Sequence, residues 1–255
     1  MDALELSEEE LQDFGDRDYI LERIYKELNV QFNTRRQILL KTLYAYISQD
    51  RRMLEENDGI SMFGTTAYHA VWENVCAEVF DNKLHTTLGQ LKMSAPLAEQ
   101  YQSMKKKTLI EIIEKPIWEG VDTTETASDT LIPDLISIPK FDGVDYFIIF
   151  DAKYYNIQLE KGKSLRGNPG VGDVTKQYLY QLAYWEFIKA HNIAVVKNCF
   201  LMPTEENEIV KKGIAKMPML EALGLENIQI RLIPAKMLYE CYLTQRKINI
   251  SLLEL

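Results

Sequence analysis

Two short apolar segments joined by a turn constrain the fold of this chain more than any other feature. Residues 145–153 read DYFIIFDAK, an apolar and β-branched stretch typical of a buried strand. A second apolar segment occupies residues 131–138, and the intervening residues 139–143, PKFDG, have the composition of a tight turn. The pattern therefore predicts a β-hairpin whose strands are too apolar to lie at the surface.

Two carboxylates and an amine accompany this hairpin. Asp151 and Lys153 are two residues apart and should point to the same face of their strand. Asp134 would come to lie beside Asp151 when the hairpin closes. Mg²⁺ takes oxygen ligands and needs only one or two protein carboxylates, and a neighbouring ammonium can orient water or stabilise negative charge on phosphorus. A metal site is one interpretation, and an edge strand with solvated charges is the other.

Together, Pro133-Asp134 and Asp151-x-Lys153 resemble the signature of the PD-(D/E)xK nuclease superfamily. The resemblance implies an α/β fold, a restriction-endonuclease-like mixed sheet flanked by helices, and catalysis with Mg²⁺, for which Mn²⁺ can substitute. In many members a helix that precedes the core strands adds an acid to the metal site, and Glu73 is the best match. Periodic apolar residues predict a helix over residues 65–80, where a local contact between His69 and Glu73 is the simpler alternative.

A second helix, predicted over Asp173–His191, carries polar and aromatic residues at helical spacing. We expect this stripe to contact DNA phosphates and the catalytic groups, with the opposite side of the helix facing the core. A solvated helix face is the alternative. The stripe comprises Asp173, Lys176, Gln177, Tyr180, Gln181 and Tyr184, of which Lys176, Gln177 and Tyr180 are the candidate DNA contacts, and the predicted core side comprises Leu179, Leu182, Ala183 and Phe187.

The loop over residues 156–172 is rich in Gly, Lys and Pro, and it supplies the candidate DNA-binding residues Lys161, Lys163 and Arg166. A mobile surface connection is the competing interpretation. Although Gly162-Lys163-Ser164 resembles the end of a P-loop, that motif requires a glycine where this chain has Ile157. We therefore expect no nucleotide hydrolysis by this chain.

The net charge of −9 argues against a nucleic-acid partner only until its distribution is considered. Residues 1–16 carry seven acids and no base, whereas residues 151–200 hold seven Lys or Arg against four acids. The basic bias therefore surrounds the candidate site.

The order of the motifs narrows the resemblance. Tyr68-His69-x-x-Trp72-Glu73, Pro-Asp, Asp-x-Lys and then Asp-x-x-Lys-Gln-x-x-Tyr resemble the LlaJI group of restriction endonucleases and, more distantly, the nuclease subunit of McrBC-type systems. The similarity covers about residues 62–200. It implies the cleaving subunit of a restriction system that works beside an AAA+ motor.

The sequence as a whole predicts two regions: an N-terminal helical region over 1–61 with an acidic arm, and a nuclease domain over 62–255. Helices are expected at Tyr19–Leu28, Arg35–Leu54 and Ala235–Arg246, and strands at Ile193–Met202, Ile209–Ala215 and Ile228–Ile233, with Leu109–Trp118 ambiguous.

Composition and spacing also predict where the protein works. Apolar runs are too short for a membrane span, and the acidic N-terminus does not resemble a secretory signal. The cysteines, Cys76, Cys199 and Cys241, lack metal-ligand or disulfide spacing, and the histidines, His69, His85 and His191, are not grouped. We expect a cytoplasmic protein, and the sequence leaves open whether it forms a homodimer.

These features favour a metal-dependent DNA endonuclease, the cleavage subunit of a restriction or antiviral defence system. Two alternatives stay open. One is a repair or recombination exonuclease of the same fold, and the other is a non-catalytic DNA-binding or assembly subunit.

Overall fold

The computed structural model describes residues 11–31, 34–48 and 68–255. The chain divides into two compact units, Met1–Gly64 and Thr65–Leu255, which we call the N-terminal unit and the main unit. Each is described by itself.

A 3-10 helix (Leu11–Phe14) and two α-helices, α1 (Arg17–Val30) and α2 (Thr34–Ser48), form the described part of the N-terminal unit. Asp16 caps α1 by accepting a hydrogen bond from the Tyr19 amide at 2.8 Å. The Arg17 guanidinium donates to the carbonyls of Ile47 (2.9 Å) and Ser48 (2.7 Å), which ties the start of α1 to the end of α2. The predicted helical region is confirmed here, whereas residues 1–10 of the acidic arm and residues 49–54 lie outside the described residues.

A six-stranded mixed sheet organises the main unit over residues 68–255. Its strands are β3 (Leu135–Ser137), β4 (Lys140–Phe141), β5 (Val144–Ala152), β6 (Val195–Thr204), β7 (Val210–Ala215) and β8 (Ile228–Pro234), while β1 (Ile117–Glu119) and β2 (Thr124–Thr126) form a separate two-stranded sheet. The strand order is β3-β5-β6-β8-β7, with β4 paired to part of β5. The pairs β5–β6 and β6–β8 are parallel, and the other pairs are antiparallel.

The predicted hairpin is present. Asp142 and Gly143 both have positive φ (49° and 82°), the conformation of a tight two-residue turn between β4 and β5. Strand β3 pairs with β5 in a register that sets Leu135 opposite Phe150 and Ile136 opposite Ile149. Continued by one residue, this register brings Asp134 opposite Asp151, as the sequence predicted.

Helices cover both faces of the sheet. On one face, α3 (Tyr68–Val79) and α8 (Ala235–Leu243) pack over Phe150, Cys199 and Leu201. On the other face, α6 (Trp185–Ala190) and the end of α5 (Val171–Ala183) pack over Phe147 and Ile149. The short helices α4 (Glu99–Gln102) and α7 (Pro218–Glu221) lie in connections. The mixed α/β fold flanked by helices is thereby confirmed, with α5 and α6 forming the crossover from β5 to β6.

The ambiguous segment 109–118 contains a 3-10 turn (Ile110–Ile112) and β1, so both helical and extended structure occur in it. The predicted helix over 173–191 is interrupted at Tyr184, which separates α5 from α6. In the part of the chain that is described, no helix is both long and apolar enough to cross a membrane.

The orientation of α5 differs from the prediction. Gln177 and Gln181 are almost fully buried, whereas Leu179 and Leu182 are each 39% exposed. Each buried amide has at least one partner: Gln177 Nε2 donates to the Ile149 carbonyl (2.8 Å), although its Oε1 accepts no hydrogen bond, and Gln181 Oε1 accepts from Asn198 Nδ2 (2.8 Å). The predicted polar stripe is therefore largely the side of α5 that faces the sheet, and the assignment of Leu179 and Leu182 to the core was wrong.

Candidate active site

Asp134 and Asp151 are held side by side at the end of β5. Asp134 directly precedes β3, and its Oδ2 accepts a hydrogen bond from the Ala152 amide at 2.8 Å. Asp151 lies near the end of β5 and is only 3% exposed. The short strand and its pairing with β5 thus place one carboxylate from each strand in the same small volume.

The Asp151 carboxylate is not fully satisfied. Its Oδ1 is buried and receives no well-aligned hydrogen bond, although the Lys153 ammonium lies 2.9 Å away and forms an ion pair with it. The buried Asp145 on the same strand makes an informative contrast, because its two oxygens accept hydrogen bonds from the Ser94 amide (2.5 Å) and hydroxyl (3.0 Å). An incompletely partnered buried carboxylate is one that a cation would stabilise.

Electrostatics distinguish Asp151 further. Burial, together with the nearby charge of Asp134, raises the pKa of Asp151 to about 8, and Lys153 opposes the shift only in part. Two carboxylates that cannot both ionise easily in the metal-free protein are favoured as a pair by a divalent cation.

Lys153 is held between two carboxylates. Its Nζ lies 2.9 Å from Asp151 Oδ1 and 3.1 Å from Asp173 Oδ1, while the other Asp173 oxygen accepts a hydrogen bond from the Gly170 amide (3.1 Å) at the start of α5. Burial alone would lower the pKa of Lys153, but Asp151 and Asp173 raise it above its ordinary value. Lys153 is therefore an ammonium at neutral pH, suited to binding negative charge and unsuited to removing a proton.

Glu73 approaches the pair from α3. Desolvation, followed by the charge of Asp134, raises the pKa of Glu73, while His69 and Lys153 act in the opposite direction. The position of α3 is fixed by Trp72, whose Nε1 donates to the Leu201 carbonyl at 3.0 Å. The same carbonyl accepts from the Lys153 amide at 2.9 Å, so one residue of β6 aligns α3 with the end of β5.

The fit to a metal can be judged from these donors. Among the described residues, no three His, Cys, Asp or Glu side chains converge into a complete ligand cage. The set is instead the Asp134–Asp151 pair, with Glu73 near enough to feel the charge of Asp134. Hard oxygen donors in such small number suit Mg²⁺, which keeps several waters and accepts phosphate oxygens. The sparse cysteine and histidine content of the site does not suit zinc.

The structure separates the predicted DNA contacts into two groups. Lys161, Lys163, Arg166 and Lys176 are exposed, with Lys163 paired to Glu160 at 2.7 Å. The loop that carries the first three is shaped by Gly167, where φ is 58° and an added Cβ would lie 2.1 Å from the Asn156 carbonyl oxygen.

Gln177 and Tyr180 are buried, and their assignment as DNA contacts stays a prediction. Gln177 binds the carbonyl of Ile149 in β5. Burial and the charges of Asp151 and Asp134 raise the pKa of Tyr180 to about 12. Both side chains therefore support the site from inside the protein.

Sequence reasoning left several residues of this region without a role. Asp173 was placed on the α5 stripe, but its ion pair with Lys153 depends on a loop whose path the sequence does not show. The sequence indicates no role for Trp72 beyond its place in the Tyr-His-x-x-Trp-Glu motif. Tyr154 and Tyr155 do give a signal, because they are two aromatic residues directly after the end of the Asp-x-Lys strand.

Comparisons with known proteins identify the family of this chain. The sequence model of the LlaJI restriction endonuclease family matches residues 2–231. The chain therefore belongs to the LlaJI restriction endonuclease family, a group of restriction-system proteins.

A curated relative gives the second comparison. The chain is 29% identical over 225 residues to the Type II restriction enzyme BsuMI component YdjA of Bacillus subtilis (strain 168), an alignment that covers 88% of this chain and 42% of the relative. The chain thus spans about two fifths of the length of that relative. No solved structure gives a significant match.

Proposed function

We propose that this chain is a DNA-cleaving component of a restriction system, a Mg²⁺-dependent endonuclease that hydrolyses phosphodiester bonds. One observation carries the proposal: Asp134 and Asp151 lie side by side at the end of β5, with an ammonium 2.9 Å from the buried oxygen of Asp151. Family membership supports the choice of DNA as substrate.

Asp134 and Asp151 would hold the metal, and Glu73 would complete the acidic set beside them, since the three side chains do not converge into one ligand group among the described residues. A bound Mg²⁺ supplies positive charge that polarises the scissile phosphate and lowers the pKa of water. Lys153 remains protonated, and its ammonium stabilises the negative charge that develops on the phosphate. Asp173 keeps that ammonium in place as its second carboxylate partner, beside Asp151.

The surrounding residues restrict water and fix positions. Trp72 is fully buried, and Tyr180 is 7% exposed. Burial of such side chains next to the site lowers the local dielectric constant, which strengthens electrostatic interactions there. On the outer side, Lys161, Arg166 and Lys176 are exposed and, within the described residues, form no ion pair, so they are available for DNA phosphates.

Partners and place of action form part of the proposal. The curated relative is described as one component of a restriction enzyme. We infer that cleavage in the cell requires other chains, among which an AAA+ motor is the partner implied by the sequence resemblance. Since the substrate is DNA, the proposed place of action is the cytoplasm.

The test uses supercoiled plasmid and the purified chain with Mg²⁺, Mn²⁺ or chelator, alone and with the proteins encoded beside it. Conversion of closed circles to linear DNA is expected with either metal. Degradation of linear DNA alone would instead support an exonuclease, and DNA binding without a metal requirement would support a non-catalytic subunit.

Matched variants connect the activity to the site. Asp151→Asn should abolish cleavage, whereas Asp145→Asn changes a buried acid of the same strand, about six residues away, and should leave cleavage intact. Cleavage by Asp151→Asn at the wild-type rate in Mg²⁺ would refute the proposed site.

A further inference from the structure

An aromatic cleft adjoins the candidate acids. It has a volume of about 420 Å³, and three of its lining residues are partly exposed tyrosines: Tyr68 (52%), Tyr154 (45%) and Tyr155 (40%). Glu73 and Lys153, both part of the candidate active site, also line it. The cleft is therefore continuous with the place proposed for phosphodiester hydrolysis.

Two of the rings form a pair. The centroids of Tyr68 and Tyr154 lie 5.9 Å apart, with 30° between the ring planes. Tyr154 also contacts Trp72 edge-on at 6.3 Å, and Trp72 is fully buried and bonded to the Leu201 carbonyl. The ring of Tyr154 thus rests on a fixed base while almost half of its residue surface remains open to solvent.

The chemistry of the cleft indicates what it would bind. Exposed aromatic rings grouped in a cleft mark a binding surface for a flat, partly apolar group. Lys153 beside them offers an ammonium to a phosphate. A ligand that presents a phosphate and, one sugar away, a flat ring is a nucleotide.

We propose that Tyr68 and Tyr154 form a stacking site for a nucleobase of the DNA strand whose phosphodiester lies at Asp134 and Asp151. This inference rests on the proposed function and adds a recognition element to it. Aromatic rings stack on any base, so the site distinguishes an unstacked base from a stacked one and not one sequence from another. A base enters the cleft only after it leaves the duplex, so DNA with an unpaired base near the scissile bond should bind more tightly.

The experiment compares two probes of equal length, oligo(dT) and an oligomer of the same sugar-phosphate backbone without bases. Binding is measured in Ca²⁺ so that cleavage does not interfere. For the wild type, oligo(dT) should bind more tightly. Tyr154→Ala should reduce the affinity ratio of the two probes by about 5- to 140-fold, the range expected for one lost base stack.

Matched variants make the comparison specific. Tyr154→Phe retains the ring and should retain the wild-type ratio. Tyr242→Ala removes a tyrosine of similar exposure (42%) on α8 that does not line the cleft, and it should also leave the ratio unchanged. Because these side chains are partly exposed, the variants should fold, and thermal unfolding verifies that they do.

The possible outcomes distinguish failure of the base-stacking inference from failure of the proposed endonuclease function on which it rests. An unchanged ratio in Tyr154→Ala, or an equal loss of affinity for both probes, would overturn base stacking even when the wild type cleaves plasmid. Loss of association with the neighbouring proteins, with DNA binding intact, would make the cleft a protein interface and would also overturn it. A wild type that binds neither probe and cleaves no DNA, whether alone or with the proteins encoded beside it, would refute the proposed function as well.

Discussion

The metal-free protein should become more stable when Asp151 is replaced by asparagine, although its activity is lost. In the folded chain the pKa of Asp151 is raised to about 8 by burial and by Asp134, against about 3.9 for an exposed aspartate. Between these two values the folded chain keeps a proton that the unfolded chain has released. The contribution of Asp151 to stability is therefore complete below about pH 4 and is lost as the pH rises to about 8.

The size of the effect follows from the same shift. One pKa unit corresponds to about 1.4 kcal/mol, so ionisation of Asp151 in the folded protein costs at most about 5–6 kcal/mol relative to the unfolded chain. Sharing of the charge with Asp134 and local relaxation reduce this to about 2–4 kcal/mol. Asp151→Asn removes this cost while preserving shape, and Lys153 keeps its ion pair with Asp173.

Urea unfolding at several pH values between 5 and 8, in the presence of chelator, measures the difference. Tryptophan fluorescence is a suitable probe, because Trp72, Trp118 and Trp185 all belong to the main unit. At pH 8 the variant should have the higher free energy of unfolding, and it should lose less stability as the pH rises. Mg²⁺ should stabilise the wild type and not the variant.

Parallel pH dependence in the two proteins would refute the reasoning. It would mean that ionisation of Asp151 in the folded protein carries no free-energy cost. The electrostatic repulsion between Asp134 and Asp151, from which a cation site was inferred, would then be absent. Asp145→Asn is the control for asparagine substitution on β5. It removes an acid that is already satisfied by Ser94, and it should therefore destabilise the protein.

Three further predictions concern charges around the site. Lys153→Ala should slow cleavage at saturating DNA about 100- to 1,000-fold with little change in DNA affinity, since the ammonium acts on charge that develops in the transition state. Lost DNA affinity at an unchanged rate would make Lys153 a phosphate contact only. Asp173→Asn should keep the hydrogen bond from the Gly170 amide, so its free energy of unfolding should stay within about 1 kcal/mol of the wild type. Its single-turnover rate should fall about tenfold, because Lys153 loses one of its two carboxylate partners. An unchanged rate would contradict a positioning role for Asp173. Neutralising Lys161, Lys163 and Arg166 together should reduce the slope of log affinity against log salt concentration, measured for DNA binding in Ca²⁺. The reduction should be about two and not about three, since Lys163 is already paired with Glu160. Identical slopes for variant and wild type would place the DNA elsewhere.

Local sequence patterns were sufficient to predict many of the strands of the main unit and how they pair. The strand over 145–153 has an apolar run and a glycine turn that fix its partner, so the pairing of Asp134 with Asp151 followed directly. Strand β6 and the crossover before it were also predictable, because an apolar strand, a helix and a second apolar strand in succession favour a parallel pair. The loop after β5 was recognised from its Gly and Lys content.

The orientation of α5 could not be predicted for a physical reason. Periodicity identifies two faces of a helix, and composition then suggests which is buried. Here the amides of Gln177 and Gln181 find hydrogen-bond acceptors and donors on the sheet, so the more polar face is inside. Those partners belong to β5 and β6, which are distant in sequence from the helix face that they satisfy. The contact between Lys153 and Asp173 was hidden in the same way.

The carbonyl of Leu201, which accepts from both Trp72 and the Lys153 amide, has a consequence for biosynthesis. Each acid of the candidate site precedes this residue in the chain, so a ribosome releases all three before it makes the strand that aligns them. A growing chain shorter than about 200 residues lacks this alignment, as does a product of premature termination. The arrangement of α3 against the end of β5 is therefore completed only after Leu201 has been made.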